Sequence, residues 1–237
     1  MAGLSVFIST FKMVSAIIPC FNDGKYIKPV VDAVRLSKRC QEIIIVDDGS
    51  KFETEEVLKN IKGAKLVRHQ KNQGKARAML SGLKAAKNEA IVFIDADLVN
   101  FKTEHFDRLA EAIESQKFDM VIGARGKEVY LTSLIGFSHA YTGERGFKSK
   151  TELINSGVFE ASGYLIEPAM NKHYFHHKKT SAVFMPGVSQ RIKVVKRGFS
   201  GLYGDTKMVG QYVVYLGPEE FLFQINFARK LVELAEK

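Results

Sequence analysis

The chain has 237 residues, enough for one sizeable α/β domain and short for two. With 46% hydrophobic and 26% charged residues and a mean hydropathy of −0.08, it has the composition of a globular protein rather than a disordered one. Its net charge of +9 suits nucleic acid, an anionic membrane surface or phosphorylated substrates, and charge alone does not choose among them.

The first twelve residues, MAGLSVFISTFK, lack a basic n-region and a cleavage site, so they read as a loose extension rather than a signal peptide. Ser15 to Pro19 is a short apolar strand, stopped by proline and the turn residues Asn22-Asp23-Gly24. Tyr26 to Ser37 has Ile27, Val30, Val31 and Val34 at helical spacing. Glu42 to Val46 is a second strand, ending in Asp47-Asp48-Gly49-Ser50. Thr54 to Ile61 reads as a helix with Thr54 as N-cap and Val57, Leu58 and Ile61 on one face. Lys65 to Arg68 is a third strand, Gln70 to Gly74 a polar loop, and Ala76 to Lys87 a helix of small residues suited to close packing on a sheet.

Ala90 to Ile94 is a β-branched, apolar run of the kind buried on both faces, and it runs into Asp95-Ala96-Asp97. If the extended chain carries on, Asp95 and Asp97 point to one side, where a hard divalent cation such as Mg²⁺ or Mn²⁺ would relieve their repulsion. A solvated acidic turn is the bland alternative. Glu104 to Ser115 follows as a helix and Met120 to Gly123 as a strand.

Beyond Gly123 the pattern weakens. Tyr130 to Tyr141 reads as helical, Glu152 to Tyr174 as helical before and after Pro168, Ser181 to Pro186 and Ser189 to Val195 as strands, and Phe221 to Ala235 as an amphipathic closing helix. The βαβ succession predicts one α/β domain over residues 1–237, with a mainly parallel sheet and helices on both faces. Ligands of such sheets bind outside the carboxyl ends of the strands, and three of those ends are acidic or turn-forming. Cys20 and Cys40 have no metal-type spacing and suit a reducing compartment; no apolar run approaches the roughly 20 residues that cross a bilayer.

Four segments in order, VSAIIPCFNDGKYI (Val14 to Ile27), EIIIVDDGS (Glu42 to Ser50), NQGKARAML (Asn72 to Leu80) and IVFIDADL (Ile91 to Leu98), resemble the GT-A domain of inverting glycosyltransferases of family two, which includes dolichol-phosphate mannosyltransferase. The resemblance implies a nucleotide-sugar half over about 13–125 and an acceptor half over about 126–237. It implies that Pro19, Phe21, Asp23, Asp47, Gly74, Lys75 and Asp95 bind a UDP- or GDP-sugar, and that Asp95 and Asp97 hold the Mn²⁺ or Mg²⁺ that bridges the diphosphate. Gly74 would let backbone approach the ligand and Lys75 would meet the diphosphate, while Asp48 reads as part of a tight turn.

In the second half, IGARGK (Ile122 to Lys127), TGERGFK (Thr142 to Lys148) and GYLIEPAMN (Gly163 to Asn171) resemble segments of polyprenyl-phosphate sugar transferases. On that basis Arg125 and Arg145 would contact phosphate. Glu144 would be the base for a hydroxyl acceptor, or would orient Arg145 if the acceptor is a lipid phosphate. Two departures stand out: Val99 occupies the place of a third metal ligand, and Gln190 that of a late-strand histidine. His173, His176 and His177, with Tyr174, Phe175, Lys178 and Lys179, read as a basic aromatic surface for anionic headgroups rather than a zinc site.

These readings predict a transferase that moves a hexose to a polyprenyl-phosphate acceptor, cytoplasmic or peripheral at the inner face of the membrane. A glycan or soluble hydroxyl acceptor is the alternative. A non-catalytic nucleotide- or nucleic-acid-binding module fits less well, and no nucleic-acid partner is expected. Oligomeric state is left open.

Overall fold

The computed structural model describes residues 13–125, 137–190 and 199–236, with 137–138, 190 and 199–207 as backbone only. Strand β1 (Val14–Cys20) is flanked by parallel partners, β2 (Cys40–Asp47) on one side and β4 (Ile91–Phe93) on the other. With β3 (Lys65–Arg68), β6 (Met120–Arg125), β7 (Arg145–Phe147) and β8 (Thr180–Met185) they form a seven-stranded sheet in the order β3-β2-β1-β4-β7-β6-β8. Only β7 runs antiparallel to its neighbours. Two short strands, β5 (Leu98–Val99) and β9 (Ser189–Gln190), pair separately beside the end of β4.

Unbroken apolar runs in β1, β2 and β4 follow from a sheet covered on both faces. Ile17, Ile44, Val46, Ile91 and Phe93 pack with Ala76, Met79 and Leu83 of α3 (Lys75–Ala85). Ala16, Ile18, Ile43, Ile45 and Val92 face the other way. They meet α1 (Gly24–Arg35) through Ile27, Val30 and Val31, and α4 (Thr103–Glu114) through Phe106, Leu109 and Ile113. The small residues of α3 have a concrete use at Gly82, where an added β-carbon would overlap Ile17 Cγ2 and lie 3.2 Å from Val46 Cγ2.

The expected elements form, with boundary shifts and several corrections. The helix expected from Thr54 is α2 (Phe52–Lys59), and Thr54 does not cap it; its hydroxyl accepts from the Gly24 amide at 3.2 Å, tying α2 to the start of α1. Strand β4 stops at Phe93 and the chain turns at Ala96–Asp97, so Asp95 and Asp97 are not placed by strand alternation. In the second half, α5 (Phe137–Ala140) and α6 (Lys150–Asn155) lead into α7 (Ile166–His177), whose first turn holds Pro168. There the missing N–H leaves no helix hydrogen bond unmade. Two helices close the chain: α8 (Phe199–Leu216), unforeseen from the sequence, and α9 (Pro218–Ala235). The leader, Gly126 and Lys127, 130–136 of the expected helix and 191–195 of the expected late strand lie outside the described residues.

Gly82→Ala should destabilise the protein by about 1–3 kcal/mol, because α3 cannot move off β1 without opening the core. Urea denaturation reads this as a lower midpoint at unchanged slope.

Candidate active site

The carboxyl ends of β1, β2 and β4 are joined by hydrogen bonds before any ligand is considered. At the end of β1, the Asn22 amide donates to Ser50 Oγ at 2.9 Å, and the Lys51 amide donates to Asn22 Oδ1 at 2.8 Å. Phe21 beside it is 37% exposed, whereas Pro19 and Asp23 are half-buried. At the end of β2, the buried Asp47 accepts from the Ser50 amide at 2.9 Å, and its other oxygen lies 3.5 Å from Arg68 Nε.

Asp48 does more than close a turn. Its carboxylate accepts from Asn72 Nδ2 at 2.9 Å, the Gln73 amide at 2.9 Å and the Gly74 amide at 2.8 Å. It also meets His69 Nδ1 at 2.7 Å, while His69 Nε2 reaches Ser81 Oγ of α3 at 2.9 Å. One buried carboxylate therefore shapes the whole polar loop before α3. The loop ends at Gly74, whose φ of +90° disfavours any other residue, and the next residue begins the helix. The sequence signal was the polar NQG run facing an aspartate-rich strand end, but only the fold shows that they meet.

Lys75, thus placed, reaches across to β4 and α7. Its ammonium lies 2.8 Å from Asp95 Oδ1 and 2.7 Å from Glu167 Oε1. Burial works against its charge, but the two carboxylates outweigh that and hold the Lys75 pKa above the ordinary lysine range. Glu167 itself is buried, with Oε2 making no hydrogen bond among the described residues. Its family-like segment was noted in the sequence, yet nothing there brings it to Lys75. Asp95 is also held close by backbone: a β-carbon at Gly143 would overlap both its carboxylate oxygens. Asp97 is buried one turn further on.

The second-half residues divide. Arg125, buried at the end of β6, has its Nε 3.7 Å from Glu144 Oε2. Glu144 is fully buried and accepts from the Thr142 hydroxyl, and its Oε1 makes no hydrogen bond among the described residues. Burial pushes the Glu144 pKa up; Arg125 opposes the shift, and nearby Asp95 adds to it. Glu144 thus faces Arg125, not Arg145 as expected. The expectation of Arg145 as a phosphate contact also fails. Because 145–147 is inserted as a strand between β4 and β6, the guanidinium is buried and donates to Thr142 O at 2.9 Å, Ala140 O at 2.7 Å and Asn171 Oδ1 at 2.6 Å.

The basic aromatic surface is also corrected. Tyr174 and Phe175 are core residues, and Lys178 pairs with Glu152 at 2.9 Å. His176 Nε2 lies 2.8 Å from Glu220 Oε2, and its ring stacks on Phe223.

Carboxylate oxygens at Asp95 and Asp97 are the donor type that Mg²⁺ and Mn²⁺ prefer, and Asp95 already attracts a cation in the Lys75 ammonium. The residues therefore fit a hard divalent ion, although no group of three or more potential ligands forms among the described residues. The Val99 side chain offers no donor; of the expected late strand the described residues are Ser189 and Gln190, and Leu98 pairs with the backbone of Gln190.

A mostly parallel sheet with one antiparallel strand inserted beside β4, and acidic loops gathered at the strand ends, defines a GT-A fold. The chain belongs to glycosyl transferase family 2, whose family model matches residues 15–170. It is 32% identical over 126 residues to a dolichyl-phosphate beta-glucosyltransferase of Trichomonas vaginalis, covering 46% of this chain and 37% of that protein. It is 31% identical over 121 residues to an undecaprenyl-phosphate 4-deoxy-4-formamido-L-arabinose transferase of Aeromonas hydrophila, covering 46% and 36%. The chain thus spans little more than a third of the length of these two relatives. Among solved structures it resembles glucosyl-3-phosphoglycerate synthase of Mycobacterium tuberculosis, in complex with Mn²⁺, UDP-glucose and phosphoglyceric acid. The TM-score is 0.68 at 21% identity, with 91% of this chain and 80% of the other covered, a likeness of fold. No helix among the described residues is long and apolar enough to cross a membrane.

Two outcomes follow from the buried pairs. Arg145→Met orphans two buried acceptors, Thr142 O and Asn171 Oδ1, while Ala140 O keeps the Asn171 amide; at about 1–3 kcal/mol each, urea denaturation should show a loss of several kcal/mol. The raised Glu144 pKa contributes stability that is present below its ordinary value of 4.5 and lost as pH rises through the raised value. Glu144→Gln should remove that part of the fall, read as a flatter dependence of melting temperature on pH above 4.5.

Proposed function

We propose that the chain is a metal-dependent, inverting hexosyltransferase that moves a hexose from a UDP- or GDP-sugar to a polyprenyl-phosphate acceptor. The observation that carries this reading is the Asp95-Ala96-Asp97 end of β4 with Lys75 on it, at the carboxyl edge of a GT-A sheet. The names of the two polyprenyl-type relatives support the acceptor class.

Transfer is a displacement at the anomeric carbon, in which the leaving nucleoside diphosphate gains negative charge. Asp95 and Asp97 would hold the divalent ion, which when bound supplies electrostatic stabilisation of that charge. Lys75 adds a cation from the start of α3. Asp23, Asp47, Pro19 and Phe21 line the adjoining strand ends, where the nucleoside would lie, and Gly74 keeps the loop backbone open to it. A lipid phosphate is already an anionic nucleophile and needs no base. Arg125 is then the cation that would orient it, held in place by Glu144. Such an acceptor would bring the protein to a membrane surface.

A second reading, with a sugar or other hydroxyl as acceptor, is favoured by one observation. Glu144 is buried with an oxygen that makes no hydrogen bond among the described residues, the state of a base awaiting a proton donor.

Thermal stabilisation by UDP- and GDP-sugars, measured with and without Mn²⁺, tests the common part. One nucleotide series should raise the melting temperature in the presence of metal, and no response from either would overturn the reading. Asp97→Ala should abolish turnover, and retained activity would refute its role. Radiolabelled product that enters organic solvent and is released by mild acid identifies the lipid-phosphate acceptor. Label left in the aqueous phase identifies the hydroxyl acceptor, and Glu144→Gln should then lower kcat by 10²-fold or more.

A further inference from the structure

Three buried or half-buried charges meet at one point: Asp95 from the end of β4, Lys75 from the first turn of α3 and Glu167 from the first turn of α7. The Lys75 ammonium lies 2.8 Å from the first carboxylate and 2.7 Å from the second. Asp95 is also one of the two carboxylates proposed above to hold the divalent ion. A monovalent and a divalent cation therefore compete for the same oxygen.

We propose that Lys75 is a displaceable counter-cation, occupying Asp95 until metal and nucleotide arrive together, with Glu167 retaining it afterwards. The proposal rests on the metal-dependent reading above. Its physical basis is the cost of leaving carboxylates buried and unbalanced. Asp95 and Glu167 both press on this point from a half-buried and a buried position, and Lys75 supplies the positive charge between them. When a divalent ion takes Asp95, the ammonium needs another anion close by. Glu167 provides it: Oε1 already holds Lys75, and Oε2 is buried with no hydrogen bond among the described residues, free to take a second donor. A lysine ammonium has three donors, so one remains for a diphosphate oxygen.

The arrangement makes metal and nucleotide uptake cooperative. Metal alone must displace Lys75 from Asp95 without offering it anything in return, so it binds weakly. A nucleoside diphosphate bound at the same time gives Lys75 a new anionic partner and removes that opposition. The coupling is reciprocal, so nucleotide also binds better with metal than without.

The test is Mn²⁺ binding by electron paramagnetic resonance, with no turnover involved. Wild type is titrated with Mn²⁺ alone, with Mn²⁺ plus UDP, and with Mn²⁺ plus GDP. Wild type should bind Mn²⁺ weakly alone and at least tenfold more tightly with one of the nucleotides. Lys75→Met should bind Mn²⁺ alone at least tenfold more tightly than wild type and lose most of the gain from nucleotide. Lys75→Arg should restore the wild-type pattern. Arg68→Met removes a charge from the same sheet edge that does not touch Asp95, and should leave the affinity for Mn²⁺ alone, without nucleotide, within about twofold. Glu167→Gln, which keeps the side chain's shape, should leave Lys75 on Asp95 and weaken Mn²⁺ uptake both alone and with nucleotide. It serves if Lys75→Met does not fold.

Equal Mn²⁺ affinity in wild type and Lys75→Met, or an equal gain in Arg68→Met, would overturn the counter-cation role while leaving the metal-dependent enzyme intact. So would unchanged Mn²⁺ uptake in Glu167→Gln. If wild type took up no Mn²⁺ even with nucleotide, the metal-dependent reading itself would fall and the counter-cation with it.

Discussion

Acidic side chains collected at the ends of buried parallel strands have to be balanced, and the rest of this site is arranged around how that is done. Asp95 is balanced by Lys75, Glu144 by Arg125 and Thr142, Asp47 by its own turn and Arg68, and Asp48 by four donors from the following loop. Lys75, Arg125 and the donors to Asp48 each come from a part of the chain distant from the carboxylate they balance. Without them the carboxylates would be buried with no partner, and the loops that carry them would have no fixed shape.

The Asp48 carboxylate and Lys75 are links of one chain. Asp48 shapes the 72–74 loop, the loop sets where α3 begins, and the first residue of α3 is the lysine that reaches Asp95 and Glu167. Glu167 belongs to α7, in the second half of the chain. Lys75 therefore joins the two halves of the domain electrostatically, and Gly143 does so sterically by letting the 142–144 segment lie against Asp95.

Much of the first half was legible because its signals are local. The apolar runs of β1, β2 and β4, the helical spacing of α1 and α4, and the acidic or glycine-rich strand ends each depend on neighbouring residues only. What misled was context. Thr54 carries the chemistry of an N-cap, yet its hydroxyl is taken by the Gly24 amide. Arg145 sits in a segment that resembles a phosphate-contacting one, but insertion of 145–147 between β4 and β6 buries its guanidinium among carbonyls. Tyr174 and Phe175 share a run with surface lysines and histidines, yet the helix turns both rings into the core.

Local pattern was sufficient for the α/β class and the parallel half of the sheet, and it marked the acidic strand ends on which the proposed site rests. Those properties follow from periodicity and from which residues end a strand. Tertiary structure alone decided which charges neutralise one another: Lys75 with Glu167, Asp48 with the loop 25 residues later, Glu144 with Arg125 rather than Arg145. The reason is that an ion pair or buried hydrogen bond is set by distance in space, and residues separated by tens of positions acquire that distance only when the sheet has closed around them.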